Sequence, residues 1–177
     1  SGIDFFKDYR ILPKLKAAGK LIIANYHGND FRNRGVHPVV HRLADANTSS
    51  EWDVYLRYPG SYYLYLPKEF QNISQISYPS HSNEIKICHM VRSKDHFFYK
   101  GSKSIIKAGE KLADKFNANF KLIMGLPHEK AVEELSQCHL LLEQVGGRAG
   151  YGYGMTAVEA LSMGLAVAVE IQPEMKK

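Results

Sequence analysis

Between Gly146 and Gly154 the chain carries five glycines in nine residues, Gly146, Gly147, Gly150, Gly152 and Gly154, and a helical segment from Met155 and Thr156 to Leu161 follows directly. Glycines packed this closely let backbone N–H groups approach a ligand where side chains would stand in the way. Glu159 falls in the first or second turn of that segment, within reach of a bound hydroxyl group. Upstream, Arg92, Lys94 and the pair Lys100-Gly101 supply cations that can neutralise a diphosphate beside a helix N-terminus. Each feature also has an ordinary reading. Glycine clusters make turns, exposed lysines are solvated, and a carboxylate near a helix start is favoured by the helix dipole. The residues point to a phosphorylated ligand only if the surrounding elements bring them together.

The pattern of apolar runs supplies such elements. From residue 84 onward, Ile85–Met90, Phe120–Met124, His139–Glu143 and Leu165–Val169 read as short buried strands. Helical spacing occupies Ser104–Phe116 and Glu129–Cys138, and Gly164 closes the segment after Glu159. Repeated β-α units of this length predict a parallel sheet with helices on both faces and strands that are almost wholly apolar. Ligands in such sheets bind at the carboxyl ends of the strands, so the loops after Met90, Met124 and Glu143 are expected to converge.

The first half is less regular. Phe5–Ala18 reads as a helix broken near Pro13, Leu21–Tyr26 as a buried strand, His27–Gly35 as a polar loop and Pro38–Ala44 as one or two helical turns. Thr48 with Glu51 three residues on suggests a capping box opening a short helix that Pro59 and Gly60 end. Tyr62–Leu66 is a strand candidate, and the aperiodic stretch 67–83, rich in Ser, Asn, Gln and Pro, reads as a linker. The expected domains are 1–83 and 84–177.

With 177 residues, 45% of them hydrophobic and 23% charged, the chain can bury one good core or two small ones. The net charge of +5 favours anionic partners without choosing among nucleotides, nucleic acid and an acidic membrane surface. Cys88 and Cys138 each lie in apolar runs without a Cys-x-x-Cys partner, which predicts buried thiols and a cytoplasmic placement. No apolar run approaches the roughly 20 residues that cross a bilayer, so any membrane contact is expected to be peripheral. His37 and His41 share a helical face, but Pro38 lies between them and no acidic ligand is well placed. No metal is predicted.

The segments Ile85–Gly101, Leu122–His128 and Gly146–Val169 together resemble the donor-binding domain of GT-B glycosyltransferases, in particular the retaining family 4. In that family an Arg and a Lys-Gly pair after a strand hold the nucleotide-sugar diphosphate, positions taken here by Arg92 and Lys100-Gly101. Its later signature has two glutamates around a glycine turn. Glu159 matches the second, which holds ribose hydroxyls; the first falls on Tyr151, so backbone groups of Gly146–Gly150 would stand in at the donor sugar. Asn25–Arg32 resembles the histidine-glycine loop of the acceptor-side domain, with His27 orienting the donor sugar, and Ala44–Ser49 resembles a strand and turn further along it.

The resemblance implies a GT-B arrangement with two Rossmann-like domains, an incomplete acceptor-side lobe and a donor domain truncated at its C-terminal end. It implies sugar transfer from a nucleoside diphosphate sugar to a hydroxyl acceptor (a glycan, a lipid-linked or a small molecule) with retention. Charge on the leaving diphosphate would be met by Arg92 and Lys100, with no cofactor and no required metal. Two alternatives stay open: a non-catalytic nucleotide-binding or protein-interaction module, and a nucleotide-sugar epimerase, because a fold does not fix chemistry. Tyr55, Tyr58, Tyr62, Tyr63 and Tyr65 suggest a stacking platform for nucleic acid, but alternation with Leu64 and Leu66 fits a sheet edge better, and no nucleic-acid partner is expected. Open sheet edges favour homo-oligomers.

Overall fold

The computed structural model describes residues 9–64, 84–148, 150, 152–171 and 173. The chain divides into two compact units, residues 1–68 and 69–177. Each contains a parallel β-sheet flanked by helices, the broadly Rossmann-like arrangement that the β-α repeats predict.

In the first unit a 3-10 turn, Tyr9–Ile11, runs into helix α1, Leu12–Ala17. Pro13 lies in its first turn, where the missing N–H costs nothing, so it opens this helix instead of breaking one. Strand β1, Ile23–Tyr26, is followed by α2, Gly28–Arg34, and α3, Pro38–Leu43. The expected polar loop over His27–Gly35 is therefore mostly helix. Its polar sequence hides one apolar anchor, Phe31, which stacks on Tyr58 and meets Tyr26 edge-on.

Strand β2, Ala46–Ser49, pairs in parallel with β1 in a register running from Ile23 opposite Ala46 to Tyr26 opposite Ser49. The capping box on Thr48 does not form. Thr48 is a strand residue whose hydroxyl donates to Asn25 Oδ1 at 3.2 Å. Helix α4, Trp52–Arg57, starts after Glu51 without a side-chain cap, because the Glu51 carboxylate is engaged with α2. Strand β3 is confined to Tyr62–Tyr63 beside β2; Tyr65 and Leu66 of the expected strand, and the expected linker 67–83, lie outside the described residues. Leu12, Ala24, Tyr26, Val40, Val54 and Tyr58 form the core.

The second unit holds β4, Lys86–Val91; the helix α5, Phe97–Lys100; α6, Ser102–Phe116; β5, Asn119–Met124; α7, His128–Ser136; β6, Leu140–Leu142; α8, Met155–Met163; and β7, Ala166–Ala168. Apart from α5, which falls in an expected loop, these bounds agree with the sequence reading to within two residues, the usual uncertainty of element ends. All four strands are parallel, in the order β5-β4-β6-β7. The chain steps from β4 outward to β5 and then back past β4 to β6. Right-handed crossovers consequently put α6 on one face and α7 and α8 on the other. Side-chain alternation agrees: Ile87, Phe120 and Leu142 pack with Ile105 of α6, whereas Cys88, Ile123 and Leu141 pack with Leu135 of α7 and Met163 of α8.

The strands are less uniformly apolar than expected. β5 and β7 are edges and leave alternate residues open, Lys121 among them. On the central strand β4, His89 is fully buried, which its two hydrogen bonds make tolerable. Cys88 and Cys138 are buried free thiols facing one another, and their hydrogen bond together with burial pushes the Cys88 thiol up. Among the described residues no helix is long and apolar enough to cross a membrane.

Candidate functional site

Because β5 and β6 flank β4 on opposite sides, the chain leaves the carboxyl ends of β4 and β6 in opposite directions and opens a crevice there, the topological switch point of the sheet. The segment after β4, expected as a loop, is largely helical. A 3-10 turn, Lys94–His96, and α5 fold it back so that Lys100 ends a helix, with Gly101 in the left-handed conformation. A Cβ on Gly101 would overlap the Val145 carbonyl as well as strain the backbone. Val145 N–H donates to Lys100 O at 3.1 Å, so the two switch-point segments are latched main chain to main chain.

Across this latch Lys100 Nζ donates to Glu143 Oε1 at 2.5 Å and lies 3.5 Å from Thr156 Oγ1 in the first turn of α8. Glu143 is the residue after β6 and is 1% exposed. Its other oxygen, Oε2, has no hydrogen-bond partner among the described residues. The sequence reading made Glu143 only a strand end; a carboxylate directly after three leucines at the carboxyl end of a buried parallel strand was the signal available. His89, also absent from the predicted site, braces this corner. Its Nδ1 faces Leu142 O at 2.7 Å and its Nε2 faces Ser102 Oγ at 2.8 Å, joining β4, β6 and α6. Burial lowers its pKa, so the ring is neutral, with Nδ1–H donating to the carbonyl and Nε2 accepting from the serine.

A cleft of about 560 Å³ opens at the ends of β4 and β5, and Arg92, His96, Lys100, Met124, His128 and Thr156 contribute to its walls. The exposed Arg92 guanidinium forms no ion pair among the described residues. Glu159, in the second turn of α8, is 4% exposed and its Oε1 lies 3.3 Å from Nε2 of His128, one contact behind the cleft wall.

The glycine segment follows Glu143 and contributes none of the described residues that line this cleft. Gly146, Gly147, Gly150 and Gly152 all have positive φ, the region that side chains disfavour. Gly146 N–H donates to Glu170 Oε2 at 2.5 Å, and Gln144 Nε2 donates to Gly152 O. Arg148 stacks over the Phe98 ring at 4.6 Å and reaches its carbonyl. Gly154 precedes α8 without a side-chain cap, next to the half-exposed Met155. Tyr151 lies outside the described residues. Of the predicted residues, Arg92, Lys100 and Thr156 line the cleft and Glu159 reaches it only through His128, whereas Gly101, Gly146, Gly147, Gly150, Gly152, Gly154 and Met155 are not among its walls.

His27 belongs to the first unit, where it precedes α2 with its Nε2 3.4 Å from Asn25 Nδ2. Beside it Gly28 N–H donates to Glu51 Oε1 at 2.7 Å, and Arg32 holds Glu51 Oε2 at 2.7 Å and both oxygens of Asp53 at 2.6 and 2.8 Å. A side chain at Gly28 would overlap this network. His37 accepts from Val40 N–H and His41 pairs with the Tyr58 hydroxyl. Among the described residues no three His, Cys, Asp or Glu side chains are grouped to hold a metal. No family model and no curated protein matches the chain.

Proposed function

We propose that the second unit binds a nucleoside diphosphate sugar at its switch point and that the chain is a retaining glycosyltransferase of the GT-B kind, or part of one. The observation that carries this reading is the meeting of Arg92, Lys100 and the N-terminal turn of α8 around one cleft. Two cations and a helix N-terminus suit a diphosphate. In transfer, Arg92 and Lys100 oppose the charge that develops on the leaving diphosphate, and that contribution grows toward the transition state.

The cleft's basic groups are balanced from behind its wall: Lys100 is paired with the buried Glu143 and His128 with the buried Glu159. Glu159 is assigned to ribose hydroxyls and His27 to orientation of the donor sugar, both from the family resemblance. The alternative of a non-catalytic nucleotide-binding module rests on Tyr151 standing where the family has a glutamate.

Calorimetric titration of UDP, GDP and ADP into the chain, Lys100→Ala and Glu159→Ala tests the binding site. Expected are diphosphate binding weakened about tenfold or more by the first variant and ribose-dependent binding weakened by the second. Unchanged affinities in both would remove the donor site from consideration. Release of labelled sugar onto a hydroxyl acceptor separates a transferase from a binding module.

A further inference from the structure

We infer that His128 is a third ligand-contacting residue of the cleft, hydrogen-bonding the diphosphate beside Arg92 and Lys100, with Glu159 positioning its ring from behind; this rests on the nucleotide-sugar reading above. His128 opens α7, is one of the cleft's walls, and has a side chain that is 65% exposed. Its Nε2 lies 3.3 Å from Oε1 of the buried Glu159, and its Nδ1 makes no hydrogen bond among the described residues. An imidazolium carries an N–H donor on each nitrogen. One edge of the ring is thus turned to a carboxylate inside the wall, which leaves the other for an anion in the cleft.

Local structure holds the ring in that place. Gly125, at φ 72°, turns the chain after β5, and its N–H donates to Arg92 O at 3.3 Å. The segment leading through Pro127 to His128 is therefore tied, main chain to main chain, to the residue that follows β4. The first turn of α7, uncapped by any side chain, adds the partial positive charge of a helix start beside the ring. The arrangement repeats that of Lys100, whose Nζ is held by the buried Glu143. In each couple the carboxylate offsets part of the attraction for an anion but fixes a mobile basic group at the wall, which lowers the cost of ordering it on binding. His96, the other imidazole of the cleft, turns its Nδ1 to the neutral Ser93 hydroxyl at 2.9 Å, and no carboxylate among the described residues holds it. Glu159 is 4% exposed and is not among the walls, so it reaches a ligand through His128.

A ribose contact is felt by nucleotides alone, whereas contact with the diphosphate is felt by inorganic pyrophosphate as well. The test titrates pyrophosphate, UDP, GDP and ADP by calorimetry at about pH 6 into the unmodified chain, His128→Ala and His128→Arg, and follows the His128 ring signal by NMR as pyrophosphate is added. Arginine keeps the charge and the donors. The expected result is that pyrophosphate and the best-bound nucleoside diphosphate both weaken about tenfold or more in His128→Ala and recover to within about threefold of the unmodified chain in His128→Arg. The ring signal, identified by its loss from the His128→Arg spectrum, should move as pyrophosphate saturates. A loss confined to nucleotides would give His128 and Glu159 to the ribose and overturn the inference, as would unchanged affinity in His128→Ala with a ring signal that stays still. If His128→Ala proves unfolded by thermal melting, the ring signal of the unmodified chain decides. Binding of neither pyrophosphate nor any nucleoside diphosphate by the unmodified chain removes the proposed function and this assignment with it.

Discussion

The carboxyl ends of the two parallel sheets are finished in different ways. In the first unit the strong charges at that end satisfy one another: Arg32 is forked onto Asp53 and Glu51, and Glu51 also takes the Gly28 N–H. What remains without a partner among its described residues is neutral, namely the Tyr26 hydroxyl, Asn47 Oδ1, Ser50 Oγ and the Trp52 indole N–H. Burial, with Tyr58 nearby, pushes the Tyr26 pKa up to about 12, so that hydroxyl stays protonated. In the second unit the one such buried atom among the described residues belongs to a carboxylate, Glu143 Oε2, while the exposed Arg92 guanidinium lines a cleft. Unfilled charge costs more than an unfilled neutral group, so it marks the end of the molecule where ligand chemistry is expected.

If the charges of the first unit serve structure, breaking them should have the largest effect on stability. Arg32→Ala leaves the buried Asp53 carboxylate unpaired and should cost about 3 kcal/mol in a denaturant titration. A loss below about 1 kcal/mol would mean that the network is better hydrated than its burial suggests.

Acid should act on the second unit through His89. Its pKa is lowered in the folded protein, so between that value and the ordinary 6.5 the unfolded chain binds more protons than the native one. Stability from this group is present above pH 6.5 and is lost as pH falls below it, at no more than about 1.4 kcal/mol per pH unit. Melting curves of the chain and of His89→Gln between pH 7.5 and 5 should show a steeper acid decline in the former; parallel declines would remove His89 as the cause. A smaller effect is expected at Gly109, where a Cβ would meet the Phe120 ring beneath α6. Gly109→Ala gains helix propensity but overpacks this contact, for a net loss of about 1 kcal/mol. A stabilised variant would show that Phe120 turns aside freely.

Which parts were readable from sequence follows from where polarity lies. Ile87, Leu141 and Ile123 belong to apolar runs, so the second sheet and its helices could be read directly. β2 is Ala-Asn-Thr-Ser and carries no apolar signal; only its resemblance to a family segment suggested a strand. α2 was concealed by Asn29, Asp30, Arg32, Asn33 and Arg34, with Phe31 as its one anchor. The supposed capping box failed because Glu51 serves α2, a tertiary demand that local pattern cannot register. Arg92 and Lys100 were accessible as cations after a strand. Glu143 and His89 were not, since their roles depend on burial and on partners more than ten residues away.

The most direct test of the central claim uses Arg92, the one cation of the cleft on which no described ion pair depends. Arg92→Ala should leave the unfolding free energy within about 0.5 kcal/mol of the unmodified chain. In calorimetric titration with UDP, GDP and ADP it should weaken the diphosphate that binds best by about tenfold or more. Unaltered affinity in a fully folded Arg92→Ala protein would contradict the account and place any nucleotide elsewhere.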